Sequence, residues 1–119
     1  MPPRTAVLLE NIRDATQYIT NRTGGTSLES YRRDRDLRQV VERNFEIVGE
    51  ALRRLHDRDP ATAARITDAR AIVDFRNVLI HAYDVIDDAK VWRIVQDAVP
   101  LLKTEVEALL QEVTRSHDV

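Results

Sequence analysis

Arg76, Asn77, His81 and Tyr83 stand within eight consecutive residues of the stretch Asp74-Phe75-Arg76-Asn77-Val78-Leu79-Ile80-His81-Ala82-Tyr83-Asp84. Polar groups set in an aliphatic run cost free energy unless they meet polar partners, so this is where chemistry is expected. An imidazole with an unperturbed pKa near ~6.5 takes or gives a proton at neutral pH. A guanidinium carries permanent positive charge and a fork that fits phosphate or carboxylate oxygens. Asn77 is placed to orient either a phosphate or His81. Tyr83, on helix geometry alone, is a flank residue packing beside the core with its hydroxyl in water.

A helix must position these groups, and its turn of ~100° per residue decides which of them meet. With Leu79 at the centre of one face, Ile72, Phe75, Ala82 and Ile86 form a core stripe. Arg76 and Tyr83 lie nearly above one another on one flank, while Asn77 and His81 stack on the outward side. Arg76 and His81 then diverge by about 140° in a regular helix. Two arrangements bring them to one target: an irregular helix near residues 80–83, or a second subunit that supplies the missing face. Val73, Val78, Ile80 and Val85 fall outside the core stripe and favour the second, a two-fold interface that makes the protein a homodimer. The competing reading is that these are scattered surface apolars, which are common.

The rest of the chain is expected to fold as one all-α domain, residues 1–119. Apolar residues make up 43% and charged residues 32%, with three glycines and four prolines, a composition for a soluble helical protein rather than a disordered or fibrous one. Leu8, Ile12, Ala15 and Ile19 mark a first helix that stops at Asn21-Arg22-Thr23-Gly24-Gly25-Thr26. Leu37, Val41, Val48, Leu52 and Leu55 mark a second, with Gly49 inside it, where a neighbouring helix approaches closely or a glycine is merely tolerated. Asp59-Pro60 opens a short helix through Ala64 and Ile66. Thr67 or Asp68 is placed to cap the motif helix. Trp92 to Val113 mark a long last helix, with Pro100 as a kink. The sum is an antiparallel four-to-five-helix bundle.

Without cysteine, disulfides, thiolate metal sites and cysteine nucleophiles are excluded. His56, His81 and His117 are too far apart in sequence for a zinc site, and no Gly-rich phosphate loop occurs, so neither metal nor cofactor is expected. Glu46 and Glu50 share a face, an arrangement that is usually solvated. No signal segment follows Met1-Pro2-Pro3-Arg4 and no apolar run approaches the ~20 residues of a membrane helix, so a cytoplasmic location without membrane contact is expected. The net charge of −2 is unevenly spread: residues 1–58 hold 11 Lys and Arg against 9 Asp and Glu, residues 59–119 hold 7 against 11. Arg32, Arg33, Arg35 and Arg38 form the densest basic cluster. Asp34 and Asp36 interleave it, so a solvated loop-to-helix junction is the plainer reading and a phosphate-contacting RNA edge the sharper one.

Arginine followed by asparagine, then histidine, one residue and tyrosine, resembles the signature of the HEPN superfamily. Ile47-Val48-Gly49-Glu50-Ala51, the motif itself, and Val85-Ile86-Asp87 leading to Val91-Trp92 narrow the likeness, over almost the whole chain, to the HepT branch. That resemblance implies a homodimeric, metal-independent endoribonuclease, the toxin of a type VII-like toxin–antitoxin pair, cutting transfer or messenger RNA in a cleft between subunits. His81 would move a proton from the 2′-hydroxyl or to the leaving oxygen, and Arg76 would stabilise the phosphorane. It further implies that Tyr83 is adenylylated by a MntA-like minimal nucleotidyltransferase, which puts negative charge and bulk beside Arg76 and neutralises the toxin. Two other readings stay open: a non-nucleolytic binding partner or antitoxin of such a transferase, and a purely structural helical dimer.

Overall fold

Helix signals and breakers divide the chain as the periodicity demands. The protein is described by a computed structural model covering residues 3–81 and 86–117. Among these residues six helices and no strands occur: α1 (Pro3–Thr23), α2 (Leu28–Arg33), α3 (Arg35–Arg58), α4 (Pro60–Ala63), α5 (Ala69–His81) and α6 (Asp88–His117). Gly24-Gly25 ends α1, with Gly25 at a φ of +76° that L side chains rarely adopt. Ser27 caps α2 by accepting the Ser30 N–H. Asp34 closes α2 and caps α3, its carboxylate accepting the Leu37 N–H at 3.0 Å. Asp59 and Pro60 open α4 as the dipeptide suggests, Asp59 accepting the Thr62 N–H.

The long helices alternate in direction. Thr5 at the start of α1 donates to Asp59 just beyond the end of α3 at 2.8 Å, which fixes these two helices antiparallel. Leu8, Leu9 and Ile12 of α1 pack with Leu102, Val106 and Leu109 late in α6, whereas Ile19 packs with Val91, Val95 and Val99 early in it. The α5 helix runs antiparallel to α3, with Ile72 beside Val48 and Leu52, and Phe75 edge-on to Phe45 at 5.7 Å between ring centres. The core is thus a bundle of four long helices, as the periodicity predicts.

Three local features differ from the sequence expectations. The stretch before α3 is not all loop: α2 forms there and buries Tyr31 completely, its ring 5.2 Å from that of Trp92. The short helix ends at Ala63, short of Ala64 and Ile66. Neither Thr67 nor Asp68 caps α5: Thr67 gives its N–H and hydroxyl to Glu105 of α6, and Asp68 takes a φ of 58° rather than the extended conformation of a cap. The α6 helix runs on through Pro100 to His117, the proline ring leaving the Gln96 carbonyl without its helical donor.

Candidate functional site

The close approach that Gly49 signals is real, and what approaches is the motif arginine. A Cβ built on Gly49 would lie 2.3 Å from Arg76 Cβ and 2.6 Å from its Cγ. The bare Cα of Gly49 is therefore the floor on which the Arg76 stem lies where α3 and α5 cross. One residue on, Glu50 meets the other end of the same side chain, its Oε2 lying 3.1 Å from Arg76 Nη2. Asn77 Oδ1 accepts from Arg76 Nη1 at 3.1 Å. The guanidinium is thus gripped at both terminal nitrogens while its side chain stays 22% exposed. Its Nε is buried and has no hydrogen-bond partner among the described residues.

Glu50 holds more than Arg76. Arg53 Nη2 donates to its Oε1 at 2.8 Å and Arg54 Nε to the same oxygen at 2.9 Å, so three guanidiniums converge on one carboxylate. The Arg53 hydrogen bond foremost, then the Arg54 hydrogen bond and the charges of Arg53 and Arg76, hold the Glu50 carboxyl at about 2 against the desolvation of its partial burial. It is therefore ionised at neutral pH. Arg76, Glu50 and Arg54 line a groove of about 270 Å³ with Ile80 of α5, Leu8 and Asn11 of α1 and Arg43 and Glu46 of α3. Arg43 is itself paired with Glu46 at 3.1 Å.

His81 is the last described residue of α5 and is exposed. Because α5 is a regular α-helix from Ala69 through His81, the five-residue step from Arg76 turns the imidazole away by about 140°. The structure brings Asn77 to Arg76, while the regular helix leaves His81 on the Asn77 side and turned away from Arg76. Tyr83, with Ala82 and Val85, lies outside the described residues. On the outer side of α5 Val78 is 44% exposed, as the stripe predicts, whereas Val73 packs against the core and Ile80 is half-buried in the groove, so only one of these three is exposed.

Two of the four arginines of the basic cluster are occupied locally. Arg33 pairs with Glu29 at 2.7 Å, Arg38 donates to the Arg32 carbonyl, and Asp34 is committed to capping α3. Arg32, Arg33 and Arg35 are exposed at the junction between α2 and α3. Beneath them the Tyr31 phenol is pushed above its ordinary range by burial and by the charges of Glu42 and Asp88. His56 is exposed near the end of α3, and the described residues hold no cluster of His, Cys, Asp or Glu that would bind a metal. None of the described helices is long and apolar enough to cross a membrane.

Sequence reasoning missed Glu50, which read as half of a solvated carboxylate pair. The signal was its position beside Gly49: a glycine that admits a neighbouring helix brings that helix's side chains within reach of the next residue.

Known proteins match along nearly the same span. Residue matches run through "Putative RNase MJ1380" of Methanocaldococcus jannaschii, 32% identical over 100 residues that cover 84% of this chain and 87% of that protein. "Probable ribonuclease HepT" of Thermococcus cleftensis is 32% identical over 108 residues, 85% of this chain and 91% of that one. "Putative RNase TTE0752" of Caldanaerobacter subterraneus is 27% identical, covering 87% and 92%. No solved structure matches the chain. The model of the family described as ribonuclease HepT-like matches residues 8–109, from α1 deep into α6 and across the whole Gly49, Glu50 and Arg76 crossing, and the chain belongs to that HepT-like family.

Proposed function

We propose that this protein is a metal-independent endoribonuclease that acts as a homodimer, with Arg76 and His81 serving one RNA phosphate in a cleft between subunits. The observation that carries the reading is the held guanidinium of Arg76, five residues ahead of an exposed histidine on one regular helix, in a chain of the HepT-like ribonuclease family. In this reaction the 2′-oxygen attacks phosphorus and the 5′-oxygen leaves. His81 moves a proton from the first or to the second, and Arg76 stabilises the added charge on the phosphorane oxygens. Asn77 keeps Arg76 in place. The 140° between the two groups favours the two-subunit cleft, in which the histidine that completes an arginine's site comes from the facing copy.

The same reading makes the protein the toxin of a pair whose MntA-like nucleotidyltransferase transfers AMP to the Tyr83 hydroxyl, with pyrophosphate leaving. A phosphodiester there, seven residues along the chain from Arg76, competes with RNA for the guanidinium. The deciding experiment incubates the purified protein, shown by mass to be unmodified at Tyr83, with total transfer RNA in excess chelator, beside the His81→Ala variant. Defined fragments from the wild type alone are expected. Intact RNA in both lanes would overturn the ribonuclease reading in favour of a non-nucleolytic partner of the transferase.

A further inference from the structure

We propose that Glu50 is a positioning residue for RNA cleavage: it holds the Arg76 guanidinium in the orientation the reaction needs and, because Arg53 and Arg54 share it, stays compensated when Arg76 turns to a phosphate. The proposal rests on the ribonuclease reading above.

Three observations carry it. First, the grip is geometric: Glu50 Oε2 takes Nη2 and Asn77 Oδ1 takes Nη1, while Gly49 beneath the stem leaves no room for the arginine to withdraw toward α3. An arginine side chain has large rotamer entropy, and fixing it before substrate arrives removes that cost from the transition state. Second, the charge balance suits an anion. Glu50 against Arg53, Arg54 and Arg76 leaves two positive charges around one carboxylate, of which Asp57 takes a share through Arg53. A phosphate beside this group meets net positive charge despite the carboxylate. Third, the carboxylate does not depend on Arg76. If the phosphate draws Arg76 Nη2 away, the bonds from Arg53 at 2.8 Å and Arg54 at 2.9 Å remain, so no uncompensated half-buried charge is left behind. The lowered pKa of the Glu50 carboxyl, caused first by Arg53, agrees with that independence.

The test uses Glu50→Gln and Glu50→Ala in the full chain, with two readouts. Nitrogen-15 NMR follows rotation about the Arg76 Cζ–Nε bond: slow rotation is expected in the wild type, faster in Glu50→Gln and averaged in Glu50→Ala. Cleavage of transfer RNA is then compared at matched folded fraction, established by urea denaturation. Glu50→Ala is expected to lower kcat at least tenfold with KM changed less than threefold, and Glu50→Gln, which keeps one acceptor oxygen, to recover part of the loss. A purely structural role would move the urea midpoint without this split. Unchanged Arg76 rotation in Glu50→Ala, or slow rotation lost with kcat intact or raised, overturns the proposal. If the wild type cleaves nothing while Arg76 rotation responds as expected, the ribonuclease reading fails, and Glu50's part in cleavage falls with it while its hold on Arg76 stands.

Discussion

Gly49→Ala should destabilise this protein, although the same change at an ordinary mid-helix glycine stabilises by about 1 kcal/mol. The sign turns on one distance. The new methyl would meet Arg76 Cβ at 2.3 Å, where unstrained carbons rest about 3.5–4.0 Å apart. The Arg76 Cβ is fixed to the α5 backbone, so no rotamer change moves it. Relief requires α3 and α5 to separate by more than about 1 Å. That separation loosens the contacts across the crossing, where Phe45 meets Phe75 edge-on and Ile72 packs beside Val48 and Leu52. Overpacking of a close-packed core costs about 1–3 kcal/mol, and subtracting the helix-propensity gain of about 1 kcal/mol leaves a net loss of up to about 2 kcal/mol. With a urea m-value of about 2 kcal/mol/M, the denaturation midpoint should fall by up to about 1 M. A midpoint that rises instead, by the roughly half-molar step expected from propensity alone, would refute the claim that the arginine lies on the glycine.

Two further predictions follow from other parts of the fold. The buried Asp59 carboxylate accepts from the Thr62 hydroxyl at 2.6 Å, the Thr5 hydroxyl at 2.8 Å and the Thr62 N–H at 3.2 Å. Asp59→Ala removes a cap and strands two buried hydroxyls, a loss of about 2–4 kcal/mol by denaturation, and Asp59→Asn should cost less. The Thr62 hydrogen bond foremost holds this carboxyl below its ordinary range, so its contribution is present above the unfolded carboxylate pKa and vanishes as pH falls through the folded one. Acid titration of stability should accordingly be shallower in Asp59→Ala than in the wild type, and equal slopes would contradict the assignment. Val78, 44% exposed on α5, belongs to the proposed two-fold interface. Val78→Asp should shift sedimentation from dimer to monomer at micromolar concentration without lowering the unfolding free energy of the monomer by more than about 0.5 kcal/mol.

The bundle was legible because its signals are local and repeated. Leu8, Ile12, Ala15 and Ile19 recur at the helical period and all are buried; Gly24-Gly25 and Asp59-Pro60 punctuate at positions where backbone chemistry leaves few alternatives. The α2 helix escaped because six residues carry less than two turns of pattern, and its one buried member, Tyr31, is an anchor that periodicity cannot distinguish from a surface tyrosine. Asp68 escaped for a related reason: aspartate is both a good N-cap and one of the few non-glycine residues that tolerates a left-handed φ, and residue type alone does not choose between the two.

The candidate site was half legible, and the missing half follows from what a linear pattern holds. Arg76, Asn77 and His81 announce themselves because they are polar residues in one aliphatic run, and their angular relation on a regular helix is arithmetic. Glu50 lies 26 residues earlier and looks like any helical surface acid until a second helix crosses it. What makes it different is Gly49, which sets how near α5 comes, and Arg53 and Arg54, which sit within one turn of it and converge on the same oxygen. One glycine thereby couples two stretches of sequence: it admits the arginine stem, and by admitting it delivers the guanidinium to the carboxylate next door. The arrangement gives the regular α5 helix a fixed cation on one side and an exposed histidine on another, and this divergence is the geometric ground for the proposed two-subunit cleft.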